Sequence, residues 1–109
     1  MPSSLGELEQ LVLLAVLRLG SEAYGLGIAR ELEREAARRL SRGALYTTLD
    51  RLELKGLVRW KPEAGGSERR GLPRRVYTVS ARGVAALRTS QRVLHRMWRG
   101  LEDVLKESS

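Results

Sequence analysis

Cysteine is absent from the chain. That excludes disulfides, thiol nucleophiles and cysteine-bound metals, and it agrees with a reducing cytoplasm. There is one histidine, His95, which leaves a Ser-His-Asp arrangement formally open and excludes a multi-histidine metal site. No apolar run approaches the ~20 residues that a membrane span needs. The longest is Leu11 to Leu17. The opening Met1-Pro2-Ser3-Ser4 lacks the basic segment that begins a secretory signal, so a cytoplasmic location is expected. Lysine is scarce too, with 3 residues against 17 arginines.

What remains is small and basic. The 109 residues suit one domain, with 20 Lys and Arg against 13 Asp and Glu and a formal charge of +7. A domain this size hides roughly two-thirds of its unfolded surface, so it folds with little spare stability. The basic excess suggests an anionic partner, nucleic acid or a lipid surface. Arginine grips phosphate bidentately and lysine does not, which leans towards nucleic acid, although a GC-rich genome produces the same bias. These bounds favour a binding protein over an enzyme, with no cofactor and no metal.

Hydrophobic spacing divides the chain into five elements. Leu5 to Leu19 reads as a helix with Glu7 and Glu9 in its first turn and Gly20 as its stop. Leu11 to Leu17 is apolar on every face, so burial on more than one side is expected, part of it by a second subunit. A second helix runs from about Tyr24 to Ala37, with Leu26, Ala29, Leu32, Glu33 and Ala36 as its inner stripe. Ser41 caps a third helix from Arg42 to Lys55, closed by Gly56, with Leu45, Leu49 and Leu52 inward. Leu57–Lys61 and Arg74–Val79 read as the strands of a hairpin around a Gly-rich tip. Ser80 caps a last helix, Ala81 to Lys106, whose heptad places Val84, Gln91, Trp98 and Leu105 at a and Leu87, Leu94 and Leu101 at d.

The expected fold is therefore mainly α with a small β-hairpin, an α+β arrangement. Residues 1–80 form a winged helix-turn-helix domain and residues 81–109 a C-terminal dimerisation helix, in one structural unit. In that layout the third helix enters the major groove and the hairpin lies beside it on the backbone or minor groove.

The motifs resemble a known family. Leu5-Gly6-Glu7-Leu8-Glu9-Gln10 with Leu11 to Leu17, Ala23-Tyr24-Gly25 with Ile28, and Gly43-Ala44-Leu45-Tyr46 with Thr47 to Glu53 resemble the three helices of the PadR-like transcriptional regulators. Lys55-Gly56-Leu57-Val58 resembles the exit of their recognition helix, and Arg74-Arg75-Val76-Tyr77-Thr78-Val79 and Gly83 with Ala86-Leu87 resemble the second wing strand and the start of their last helix. The resemblance extends from Leu5 to about Leu105, and its specificity lies in the combination rather than in any one piece. It implies a dimeric bacterial or archaeal regulator, usually a repressor, that binds a pseudo-palindromic operator and releases it on a small-molecule or other signal. The single last helix resembles the short branch of the family. Residues 62–73 depart most from the pattern, so wing contacts transfer least.

Each candidate residue has a functional and a structural reading. On the third helix, Arg42 and Thr47 face base edges and Tyr46 and Arg51 hold phosphates, or the four form a solvated face with Tyr46 half-buried against the second helix. Ser41 caps the helix and can also touch phosphate. Gly43 lets the backbone approach either DNA or the preceding turn. Arg69, Arg70, Arg74 and Arg75 charge the hairpin for phosphate or minor-groove contact, or for solubility; strand alternation points Arg74 and Arg75 to opposite sides. Val84, Leu87, Gln91, Leu94, Trp98 and Leu101 form the dimer seam. Trp98 either simply packs there or stacks, with its mate, a small planar apolar effector. His95 and Trp60 read as surface and packing residues.

The expected function is a homodimeric, sequence-specific transcriptional regulator of double-stranded DNA, an effector-responsive repressor. The dimer would carry +14, twice the chain's +7. Its half-sites would lie ~10 bp apart, or a multiple of that. The alternative is a winged-helix protein that coats DNA without sequence preference or serves as a protein–protein adaptor. Membrane-surface binding through Trp98 and the arginines of the last helix is opposed by Glu102, Asp103 and Glu107.

Overall fold

The computed structural model describes residues 5–64 and 73–106. Three helices come first: α1 (Glu7–Leu19), α2 (Gly25–Ala36) and α3 (Arg42–Leu54), with a short 3-10 turn at Gly20–Glu22. A hairpin follows, β1 (Val58–Glu63) and β2 (Arg74–Val79), antiparallel with Val58 opposite Val79, Trp60 opposite Tyr77 and Glu63 opposite Arg74. Helices α4 (Ala81–Trp98) and α5 (Glu102–Lys106) close the chain. This is the winged helix-turn-helix order.

One core serves α1, α2, α3 and the base of the hairpin. Val12, Leu13, Ile28, Leu49, Leu52 and Tyr77 are its largest fully buried side chains. All three leucines expected to face inward on α3 do so. On α1, burial reaches Val12, Leu13, Ala15 and Val16, whereas Leu14 and Leu17 stay exposed. The first turn of that helix carries Glu9, whose carboxylate accepts the Gly6 N–H at 3.0 Å and two contacts from the Lys55 ammonium at 2.8 and 3.1 Å. Burial alone would push the Glu9 pKa up. The Lys55 and Gly6 hydrogen bonds and the Lys55 and Arg51 charges outweigh it and hold the carboxyl below its usual value. Glu9 thus ties the start of α1 to the end of α3.

The inner face of α2 differs from the expected stripe. Gly25, Ile28, Glu31 and Leu32 are buried, while Leu26 and Glu33 are exposed. An acid can occupy that face because Arg18 of α1 and Arg34 flank Glu31; the Arg18 Nε lies 2.5 Å from its carboxylate. The Arg18 hydrogen bond is the main reason that the Glu31 pKa is lowered.

Two close joints set the position of the wing. The Tyr77 N–H donates to the Ala23 carbonyl at 2.8 Å, which pins β2 to the turn before α2. At the other joint the Ser80 N–H donates to the Leu57 carbonyl at 2.9 Å, and the Ser80 hydroxyl donates to Gly56 O at 2.7 Å and accepts from the Gly83 N–H at 3.0 Å. Gly83 is pressed so tightly here that a Cβ would overlap the Leu57 carbonyl and come 2.6 Å from Val79 Cγ1.

The last helix is not continuous to Lys106. It ends at Trp98, and Gly100 takes a φ of +85° before α5 begins. A left-handed glycine after the last helical turn is a common helix stop, so the heptad register does not run from Trp98 into Leu105 on one rod. The Gly100 N–H donates to the Glu102 carboxylate at 3.0 Å across this break. None of the helices among the described residues is long and apolar enough to cross a membrane.

Candidate nucleic-acid interface

The N-terminus of α3 starts on a side-chain cap. The Ser41 hydroxyl accepts the Ala44 N–H at 3.0 Å, so Ser41 performs the capping role that its position predicts. Arg42, Gly43 and Thr47 are exposed. A Cβ on Gly43 would meet nothing within 4 Å, so no packing against the preceding turn demands a glycine there. Tyr46 is part-buried, and its ring lies on the start of α2. A Cβ on Gly25 would overlap the Tyr46 hydroxyl, so the glycine at the start of one helix and the tyrosine on the next form one contact. Arg51 is exposed and acts on Glu9, which places its charge on the α1 side of α3.

An open groove runs between the start of α2, the start of α3 and β2. Arg30, Arg42, Arg74 and Arg75 line it, together with Ser41 and Tyr46. The two wing arginines are held by different rings. The Arg74 guanidinium stacks 3.9 Å from the Tyr24 ring centroid, and Arg75 stacks 4.1 Å from that of Trp60. Arg74 also pairs with Glu63 at 3.7 Å, yet its Nε is buried with no hydrogen-bond partner among the described residues. Arg75 Nη1 lies 3.9 Å from an Asp50 carboxylate oxygen. The nearby Tyr77 hydroxyl, then Asp50 and Glu53, raise the Arg75 pKa further, although the Tyr77 contact falls short of hydrogen-bond geometry. A guanidinium stacked by its face keeps its edge available for phosphate. Alternation predicts different sides for Arg74 and Arg75, and they do stack on different rings, yet both line the same groove.

Arg30 and Asp50 join this surface without having been expected there. The shifted phase of α2 explains Arg30: with Ile28 and Leu32 inward, Arg30 falls at the groove edge. Arg69 and Arg70 lie outside the described residues.

The seam residues divide into two groups. Val84 and Leu87 pack partly against the chain's own core. Every described residue from Gln91 to Lys106 is exposed. Leu94, Met97, Trp98 and Leu101 therefore face solvent, at 53, 71, 41 and 50% exposure.

Comparison with known proteins adds to this geometry. A model of the transcriptional regulator PadR-like family matches residues 13–89. The transcriptional regulator Rv3488 of Mycobacterium tuberculosis is 39% identical over 82 residues, which span 72% of this chain and 69% of that protein. The crystal structure of a PadR family transcriptional regulator from Eggerthella lenta matches with a TM-score of 0.65 at 29% identity, covering 94% of this chain and 88% of the other. A PadR-like transcriptional regulator from Bacillus cereus has a TM-score of 0.69 over 93% of each chain. Its identity is 19%, so that likeness concerns the fold alone.

Proposed function

This chain belongs to the PadR-like family of transcriptional regulators, and we propose on that premise that it is a sequence-specific repressor that binds a pseudo-palindromic operator as a homodimer. The observation that carries the reading is the convergence of four guanidinium groups, Arg30, Arg42, Arg74 and Arg75, on the groove where α3 begins. Arg42 and Thr47 reach base edges at the exposed start of the helix. Arg74 and Arg75 hold the backbone beside it with the outer edges of their stacked guanidinium groups. Ser41 and Gly43 bring the helix N-terminus close to that backbone. Tyr46 and Arg51 contribute from the flanks, and Arg69 and Arg70 extend the charge along the wing. The protein acts in the cytoplasm, without a cofactor.

The dimer forms along α4 and the break that follows it. Gln91, Leu94, Trp98 and Leu101 supply the contact between chains, continued by Val84 and Leu87 where they emerge from the domain core. An exposed apolar stretch of this kind on a small protein favours burial against a second copy. A small planar apolar effector would stack between the two Trp98 rings and stabilise a spacing of the recognition helices that does not fit the operator, shifting the population off DNA.

In-vitro selection from random duplexes at about physiological salt tests the reading. The expected result is an enriched inverted repeat with half-sites ~10 bp apart or a multiple of that. DNA retained without an enriched sequence would indicate a coating protein. No retention would indicate an adaptor.

A further inference from the structure

The outward row of α3 carries a negative charge where a DNA-binding face would be expected to have none. Leu45, Thr48, Leu49 and Leu52 are buried. Opposite them, at helical spacing, stand Gly43, Thr47, Asp50 and Leu54. Asp50 lines the groove beside Arg30, Arg42, Arg74 and Arg75, and it is the one acid among the described residues that line it. A bare carboxylate there would repel the phosphates that the arginines attract.

Two features of its surroundings resolve the conflict. Arg75 lies 3.9 Å away and is itself fixed over Trp60, so its charge offsets the repulsion between the carboxylate and the backbone. That separation is too long for a hydrogen bond, and no other donor among the described residues reaches the carboxylate, whose side chain is 61% exposed. Its oxygens remain free acceptors, one helical turn beyond Thr47 on the same row. In the major groove, amino donors are offered by cytosine N4 and adenine N6. Adenine sets its N7 lone pair beside the amino group, against the second carboxylate oxygen. Cytosine sets a C–H there.

We propose that Asp50 reads a cytosine in each half-site by accepting from its N4 amino group, with Arg75 as the positioning residue that offsets its charge. This rests on the reading of α3 as the recognition helix. The side chain is exposed, so substitutions leave the core intact.

Selection from random duplexes with the full-length wild type, Asp50→Ala and Asp50→Asn tests it. The wild type should prefer cytosine at one half-site position by roughly 5- to 150-fold over other bases. Asp50→Ala should lose that preference and keep the rest of the motif. Asp50→Asn should move it to adenine, because an amide both donates and accepts and so matches N7 and N6. A cytosine preference that survives Asp50→Ala would overturn the assignment. So would an equal change in affinity for all sequences with the motif intact, which would reduce Asp50 to a partner of Arg75. If the wild type enriches no sequence, the regulator reading itself fails, and the assignment with it.

Discussion

The winged half of the molecule and the stretch beyond Gln91 obey different rules. Up to Gly83 the principal joints are closed within the chain: Glu9 on Lys55, Tyr46 on Gly25, Tyr77 on Ala23 and Ser80 on Leu57. Beyond Gln91 every described side chain is exposed, although α4 continues as a regular helix to Trp98. A helix with that much open apolar surface gains little from its own domain, since most helical stability in proteins comes from packing an amphipathic face. The first part satisfies its apolar and polar groups within the chain, whereas the second leaves its apolar side chains open to solvent.

The largest effect is expected in the second half. Leu94→Glu places a charge on the exposed seam and should raise the dimer dissociation constant at least ~100-fold, equivalent to about 3 kcal/mol. The fold should remain intact. Light scattering that still shows a dimer would move the contact elsewhere. Next comes the joint that separates the two halves. Gly83→Ala should cost about 1–3 kcal/mol in chemical denaturation, because the added methyl overlaps backbone that cannot retreat. An unchanged stability would mean that α4 slides freely on the wing, and the comparison would lose its boundary.

Smaller effects sharpen the account of the closed half. Glu9→Gln should cost about 1–2 kcal/mol at neutral pH through loss of the charged contact with Lys55. The folded pKa of Glu9 lies below its ordinary 4.5. The stabilisation it brings is therefore complete above about that pH and fades as pH falls through the depressed value. The gap between wild type and Glu9→Gln should narrow on acidification below pH 4.5; a constant gap would remove the ion pair from the account. The smallest effect concerns Ala37, which ends α2 with a φ of +53°. Ala37→Gly should relieve left-handed strain and raise stability by about 0.5–1 kcal/mol. A loss instead would show that the alanine methyl matters more than the backbone.

Local patterns in the sequence foretell the closed core, and long-range contacts decide the rest. Leu45, Leu49 and Leu52 repeat at helical spacing and are buried as the pattern requires, and the bounds of β2 agree to the residue. Ser41 and Ser80 cap the helices they precede. The phase of α2 was harder to read, because its inner face includes Glu31. No local pattern shows that Arg18, 13 residues earlier, will meet that acid. Long-range pairing also hid the groove: Arg30 and Asp50 look like ordinary charges until tertiary contacts bring α2, α3 and β2 together. The break at Gly100 had a visible signal. The apolar repeat spanning it suggested a continuous helix, and a glycine after a helical turn was the better guide.

Recognition by the winged half, with the exposed half only doubling it, is the expected outcome of this division. Analytical ultracentrifugation on the selected operator tests this most directly, with duplexes carrying one or two half-sites. The wild type should load two chains cooperatively on the two-site duplex. Leu94→Glu should bind a single half-site with wild-type base preference and gain nothing from the second. A folded Leu94→Glu protein that no longer distinguishes the half-site from unrelated DNA would contradict the account.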